Sequence, residues 1–343
     1  MKKSHNDIDL LSIFKHGIES NELFSQQHRL LIACSGGIDS VVLVHILHHL
    51  NYTITLLHCN FQLRGEESKR DEAFVQQMAS SMNIDCIIKH FDTKDAMKQH
   101  KTGVQETARM LRYEWFQEQM EYFASKGDRP LLLTAHHQDD QCETIAFNFF
   151  RGTGIAGLTG MKLKEGNVVR PLLNANKEQI SAYAHQHSLK WVEDSSNKEN
   201  DYSRNMLRNE VLPSVEKILP SYRQNLVDNS KRLNEVALLY QQQISLIKKK
   251  LIEKKGNAWA IPVKKLIATV PLDTIIYEIF SSFGFGAHQI DELKKILNAE
   301  TGKYIESATH RVLKNRDWLL IDLKGMYSSS QYVVEEHDQE VSF

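Results

Sequence analysis

The chain has 343 residues, enough for two domains at roughly 100–200 residues each. Its 41% hydrophobic and 25% charged residues exclude wholesale disorder, and no stretch approaches the roughly 18–20 continuous apolar residues of a membrane span. The net charge of −1 advertises no polyanionic partner, yet residues 225–325 hold 16 Lys/Arg against 11 Asp/Glu and the last 18 hold none against 4, so the middle block is basic. Met1-Lys2-Lys3-Ser4-His5 opens on mixed polar sequence with no apolar leader, which predicts a non-secreted, cytoplasmic protein without a membrane partner.

In chain order, Leu30–Cys34 is a short apolar run, followed by a helix over Ser40–Leu50. A second strand is expected at Thr53–Cys59, a helix at Glu67–Met82, and a third strand at Ile84–Phe91. Helical spacing of Val104, Ala108, Leu111, Trp115 and Met120 marks a long helix from Gly103 to Ala124. Pro130–Ala135 is a fourth strand and Asp139–Phe150 a helix. Near-continuous apolar strands alternating with helices predict an α/β fold, a parallel sheet covered on both faces.

Beyond the polar loop Asp194–Asp201 lie a helix over Ser203–Lys217 and a longer one opening at Pro220. Residues 255–325 read as a smaller, mainly helical α+β domain, with helices at Leu272–Phe283 and His288–Asn298 and strands at Tyr304–Glu306, Arg311–Lys314 and Trp318–Asp322. The expected division is 1–218, a linker helix 219–254, the small basic domain 255–325, and a tail 326–343 that resembles the opening of a further domain. Lys248, Lys249 and Lys250 on the linker helix are either a solvated face or a phosphate-binding one. The four cysteines Cys34, Cys59, Cys86 and Cys142 form no CxxC pair and read as reduced, buried thiols.

The strongest signal is Ser35-Gly36-Gly37-Ile38-Asp39-Ser40, between the first strand and its helix. Two glycines let the backbone turn its N–H groups onto an anion, and the helix start adds its positive end. Asp39 repels phosphate unless it shares a Mg²⁺ with it. No Lys follows the glycines, so the loop is not a Walker A motif, and GxGxxG is absent.

Four segments accompany it: His58-Cys59-Asn60-Phe61-Gln62-Leu63-Arg64, Glu106–Tyr113, His136–Thr144 and the glycine-rich Arg151–Met161. Asp140 and Glu143, three apart at a helix start, face the same way. Singly these have plain readings: Glu106 and Arg109 as a surface pair, Asp139-Asp140 as a helix cap, His136-His137 as a metal pair.

Together they resemble the tRNA(Ile)-lysidine synthetase family of PP-loop ATP pyrophosphatases, through SGGxDS, HxNHxLR, ExARxxRY, HHxDDQxET, RGxGxxGLxGM and DxSNxxxxxxRNxxR. The last corresponds to Asp194, Ser196, Asn197, Arg204, Asn205 and Arg208, and Phe61 stands where a second His is usual. The resemblance implies a Rossmann-like adenine nucleotide α-hydrolase domain, ATP and Mg²⁺, and transfer of free lysine to C2 of the wobble cytidine of tRNA(Ile) with a CAU anticodon. A tRNA thiolase is the alternative. The roles implied are ATP at Ser35, Gly36, Gly37, Ile38, Asp39 and Ser40 with His58, Arg112 and His136; Mg²⁺ at Asp39; lysine chemistry at Asp140, Glu143 and Arg109. Arg204, Asn205 and Arg208, with Lys248, Lys249 and Lys250, would contact tRNA.

Overall fold

In the computed structural model, which describes residues 9–193, 203–256 and 258–325, α1 (Leu10–Ser20) precedes β1 (Arg29–Ala33). Leu30, Leu31 and Ile32 of β1 are all fully buried, which requires cover on both faces of the strand. Leu30 and Ile32 enter one apolar cluster and Leu31 another, as the two-residue period of a strand dictates. Each such side chain contributes on the order of 1.5–3 kcal/mol by leaving water.

The chain continues through α2 (Ile38–His49), β2 (Ile54–Asn60), α3 (Glu66–Ser81), β3 (Asp85–His90), α4 (Thr93–His100), α5 (Val104–Ser125), β4 (Pro130–Leu133) and α6 (Gln138–Arg151). A one-turn helix α7 (Ile155–Leu158), a hairpin of β5 (Lys164–Glu165) and β6 (Val168–Val169), and α8 (Lys177–Gln186) follow. The sheet order is β3-β2-β1-β4-β6-β5, parallel except for β5. One face is covered by α1, α2 and α8, with Phe14, Leu43, Leu47 and Ile180 at its centre. The other is covered by Trp115, Phe116, Met120 and Phe123 of α5.

This topology positions the site. The chain lays down β1, β2 and β3 outward on one side, then crosses to place β4 on the free side of β1. Strand order reverses between β1 and β4, and the crevice beyond the carboxyl ends of strands at such a reversal is where ligands meet open parallel sheets. The turn after β1 is the Ser35–Ser40 loop, and the turn after β4 is His136-His137.

The four expected strands and their helices are present, with ends displaced by one or two residues. Helices α1, α4 and α8 and the β5/β6 hairpin go beyond that expectation. Over 203–217, one helix is expected. The structure instead has α9 (Ser203–Met206), a π-helical turn at Leu207–Val211, and α10 (Leu212–Ile218). Pro213 explains the widened turn, because its ring displaces the carbonyl four residues back and it has no N–H to donate.

Helix α11 (Tyr222–Leu251) is the longest, and the two compact units of the chain divide within it, at Asn234/Glu235. In the second unit β7 (Glu253–Lys255), β8 (Ala258–Pro262), α12 (Val263–Ile267), α13 (Leu272–Ser281), α14 (Ile290–Leu297), β9 (Tyr304–Glu306), β10 (His310–Asn315) and β11 (Trp318–Leu323) follow. Its strands form an antiparallel sheet in the order β7-β8-β11-β10-β9. Ile261, Val312, Leu319 and Ile321 pack on Ile276, Ile279, Phe280 and Leu293. The ribbon of β7 and β8 takes over two residues after α11 ends at Leu251. Among the described residues no helix is long and apolar enough to cross a membrane.

Candidate active site at the carboxyl ends of the parallel strands

The loop after β1 is built around two serines. Gly36 lies at φ +89°, and a Cβ there would come within 2.8 Å of Val192 Cγ2, so only glycine fits. The Ser40 hydroxyl accepts from Gly36 N–H (3.2 Å) and donates to Gly37 O (2.8 Å), and Ser35 Oγ accepts from Gly37 N–H (3.2 Å). Gly37 caps α2, which leaves the N–H groups of Ile38, Asp39 and Ser40 in the first turn without intrahelical acceptors. They are the donors such a turn offers an anion.

At the end of β4 the chain enters α6 with its own acids. His137 N–H donates to Asp140 Oδ2 (3.0 Å), which ties off the helix start. The buried His137 ring sits among three carboxylates: Nε2 is 3.8 Å from Asp39 Oδ2 and 3.5 Å from Asp140 Oδ2, and Nδ1 is 3.5 Å from Asp139 Oδ2. At that distance Nδ1 makes no aligned hydrogen bond. Burial disfavours the charged ring, but Asp139, Asp140 and Asp39 outweigh it and hold the His137 pKa above its usual value. His137 therefore joins the two strand ends.

Each carboxylate is also paired with a cation. Lys177 Nζ lies 2.5 Å from Asp39 Oδ1. Arg223 Nε lies 3.0 Å from Asp139 Oδ1, and Lys177 N–H donates to Asp139 Oδ2 (3.0 Å). Burial works against the Asp139 charge, yet His137, that N–H and Arg223 bring its pKa below the usual range. Arg208 spans the last two acids, with Nε 2.5 Å from Glu143 Oε1 and a terminal nitrogen 2.9 Å from Asp140 Oδ1. Arg204 stands 3.7 Å from Glu143 Oε2 and donates to Thr144 Oγ1 (2.9 Å). Glu143 is buried, and burial raises its pKa despite Arg208.

Asp140 and Glu143 share a face, spanned by Arg208, and the His137 ring lies within 4 Å of both Asp39 and Asp140. Arg204 and Arg208, which the resemblance directs to tRNA, both pair with the acids of α6 in the structure. Asn205 lies between them in α9, and Asp194, Ser196 and Asn197 fall outside the described residues.

The His58 ring is buried with Nδ1 2.9 Å from Cys34 O, the carbonyl just before the loop, and burial lowers its pKa. His136 is held by Thr134 Oγ1 (2.8 Å), and burial, aided by Arg170 and Arg204, pushes its pKa down to about 4. Arg109 and Arg112 are exposed on α5. Arg109 lies over the Tyr113 ring (5.0 Å) and lines an open cleft of about 330 Å³ with Glu106, Met110 and Tyr113. Among the described residues no hydrogen bond or ion pair joins it to Asp140 or Glu143. Arg112 lies over Phe61 (5.3 Å), which stacks on Phe91. Phe61 thus keeps a cation at the position where the family pattern has His.

Lys177 and Arg223 are site residues that the motifs do not single out, and His137 lies within HHxDDQxET but is read there only as half of a metal pair. The readable signal was local: Asn176 and Gln179 form a reciprocal cap that starts α8 at Lys177. Among the described residues no group of three or more His, Cys, Asp or Glu side chains is arranged to hold a metal ion. Asp39 alone presents a partly exposed oxygen pair at the loop, a donor set that suits Mg²⁺ completed by phosphate oxygens rather than an all-protein cage. All four cysteines are free, and burial pushes their thiols up to about 11 or 12.

A glycine turn and helix start beside an acid cluster at the switch point of a parallel sheet define an ATP-binding domain of the PP-loop class. Residues 5–215 match the PP-loop domain model, and residues 254–324 match that of the TilS substrate binding domain. The chain belongs to the tRNA(Ile)-lysidine synthase family. It is 38% identical over 305 residues to the tRNA(Ile)-lysidine synthase of Bacteroides thetaiotaomicron, covering 89% of this chain and 70% of that protein. The Porphyromonas gingivalis tRNA(Ile)-lysidine synthase is 33% identical, covering 92% and 68%. Among solved structures, the U34-tRNA thiolase NcsA of Methanococcus maripaludis superposes with a TM-score of 0.53 at 17% identity, over 66% of this chain and 78% of that one, a likeness of fold alone.

Proposed function

We propose that the protein joins free lysine to C2 of the wobble cytidine of tRNA(Ile) bearing a CAU anticodon, at the expense of ATP. In the first step the C2 oxygen attacks the α-phosphorus, the bond to the β-phosphate breaks, and pyrophosphate leaves. The first-turn N–H groups of α2 and the Ser35 hydroxyl are the donors assigned to the charge that gathers on the phosphates, while buried Ser40 holds the loop's shape. Mg²⁺, held by Asp39 and the phosphates, would supply charge neutralisation there.

In the second step the lysine ε-amine attacks C2, the C2–O bond breaks, and AMP leaves. A free amine is protonated near neutral pH, with a reference pKa of about 10.4, so the site must bind an ammonium and accept its proton. Asp140 and Glu143 are assigned both needs: the ammonium would share the carboxylate pair with Arg208, and burial raises the Glu143 pKa. Arg109 and Arg112 are assigned to the open α5 side of the crevice. The basic second unit, with Lys248, Lys249 and Lys250, is assigned to tRNA phosphates.

The observation that carries this reading is the His137 ring, in reach of Asp39 from the phosphate loop and Asp140 from the acid pair. It makes the two half-reactions neighbours. The test is incubation with ATP, lysine and CAU-anticodon tRNA transcripts, followed by nucleoside analysis. Lysidine with stoichiometric pyrophosphate is expected; an unmodified cytidine, or a thiolated base when a sulfur donor is added, overturns it. Buried thiols with raised pKa values are poor sulfur carriers, which leaves the thiolase alternative without support in the site.

A further inference from the structure

The Ser35–Ser40 loop contains no cation, although it faces a polyphosphate. The structure brings one from elsewhere. Lys177 Nζ rests 2.5 Å from Asp39 Oδ1, across 138 residues of sequence. The base of this side chain is fixed: Asn176 and Gln179 cap the helix start, Lys177 N–H is held by Asp139 Oδ2, and Ile180 and Ala184 anchor α8 in the core. Its tip is not fixed in the same way, because the side chain is 42% exposed and reaches the loop from the open side. Arg208 and Arg223 are engaged by Asp140 with Glu143 and by Asp139 with Glu216, whereas Lys177 pairs with the loop's own Asp39.

We infer that Lys177 is the phosphate-binding lysine of this enzyme: it leaves Asp39 to contact the phosphates that depart as pyrophosphate. The inference rests on the ATP-dependent adenylation proposed above. A compact ammonium on a flexible stem is the group that serves phosphate loops as a point charge. A short swing of the stem exchanges one oxygen anion for another, so the ammonium is never left unpaired. The competing reading is a passive ion pair that pins α8 to α2.

The two readings differ in sign. In the full-length chain, pyrophosphate binding is measured by titration calorimetry in EDTA, with thermal melts as a check on folding. Lys177→Met is expected to weaken pyrophosphate binding by about tenfold or more, and Lys177→Arg to restore most of it. Asp39→Asn is expected to tighten it by about threefold, because it removes a repelling charge and frees the ammonium. A passive pin predicts the same direction for both partners. Equal binding by Lys177→Met and wild type, or weakening by both Lys177→Met and Asp39→Asn, overturns the inference. If Lys177→Met does not fold, Lys177→Gln is measured in its place, and binding by it equal to wild type overturns the inference. Wild-type adenylation of tRNA is scored separately: its absence removes the proposed function, while its presence with the wrong sign removes only the role of Lys177.

Discussion

Arg208 holds Glu143 across 65 residues of sequence, Nε to Oε1 at 2.5 Å, and the acid it holds is buried. The same guanidinium reaches Asp140 at 2.9 Å, so one cation covers both carboxylates assigned to the substrate amine. Removing it strands a charge in a poorly hydrated place. Arg208→Ala is expected to cost about 1–2 kcal/mol, below the full value for a buried pair because Arg208 is 39% exposed. Adding Glu143→Gln should recover much of that loss, and urea titrations of the two single variants and the double variant measure the coupling.

Asp140→Ala and Glu143→Ala separate the half-reactions. Both variants are expected to release pyrophosphate and adenylate tRNA near the wild-type rate, while lysine transfer falls by roughly 10²-fold or more. Single-turnover assays with labelled ATP and labelled lysine read the two steps apart. Equal loss of both steps would assign these acids to the nucleotide.

His136 gives the fold a pH dependence of known sign. Its pKa is pushed down to about 4 by burial, so the native state resists a proton that the unfolded chain takes up near pH 6.5. Stability from this group is complete above about pH 6.5 and is lost as pH falls toward 4, on the order of 2–3 kcal/mol over that window. Denaturation curves for wild type and His136→Gln at several pH values check it. The variant should fall less steeply, and identical slopes would refute the assignment.

The basic second unit predicts a salt-dependent grip on RNA. Reversing Lys248, Lys249 and Lys250 to Glu should weaken tRNA binding at least tenfold and leave ATP binding unchanged. Plots of log affinity against log salt should flatten by about 0.7–0.9 for each phosphate that is no longer neutralised. An unchanged slope and affinity would make this helix end a plain solvated surface.

Where burial imposes a local pattern, sequence and structure agree. Leu30, Leu31 and Ile32 are apolar in succession because the sheet is covered twice, and Trp115 and Met120 recur at helical spacing because α5 covers one face. Asp39, Asp140 and Glu143 were legible because their spacing to glycines and to each other is local. Lys177, Arg208 and Arg223 were not, because what they touch depends on how α8, the π turn and α11 pack against strand ends made much earlier in the chain. For Arg204 and Arg208, a positive charge on an expected helix said nothing of the π turn that Pro213 induces. Lys254 and Lys255 follow Lys248–Lys250 after only three residues, yet they form an edge strand over the Trp259 and Trp318 rings.

The pairing of four acids with three later cations has a consequence for synthesis. Asp39, Asp139, Asp140 and Glu143 all leave the ribosome before Lys177, Arg208 and Arg223. Like charges gathered without their partners repel one another and disfavour polyphosphate. The site therefore gains its charge balance only once α8, the π turn and the first turn of α11 have been made.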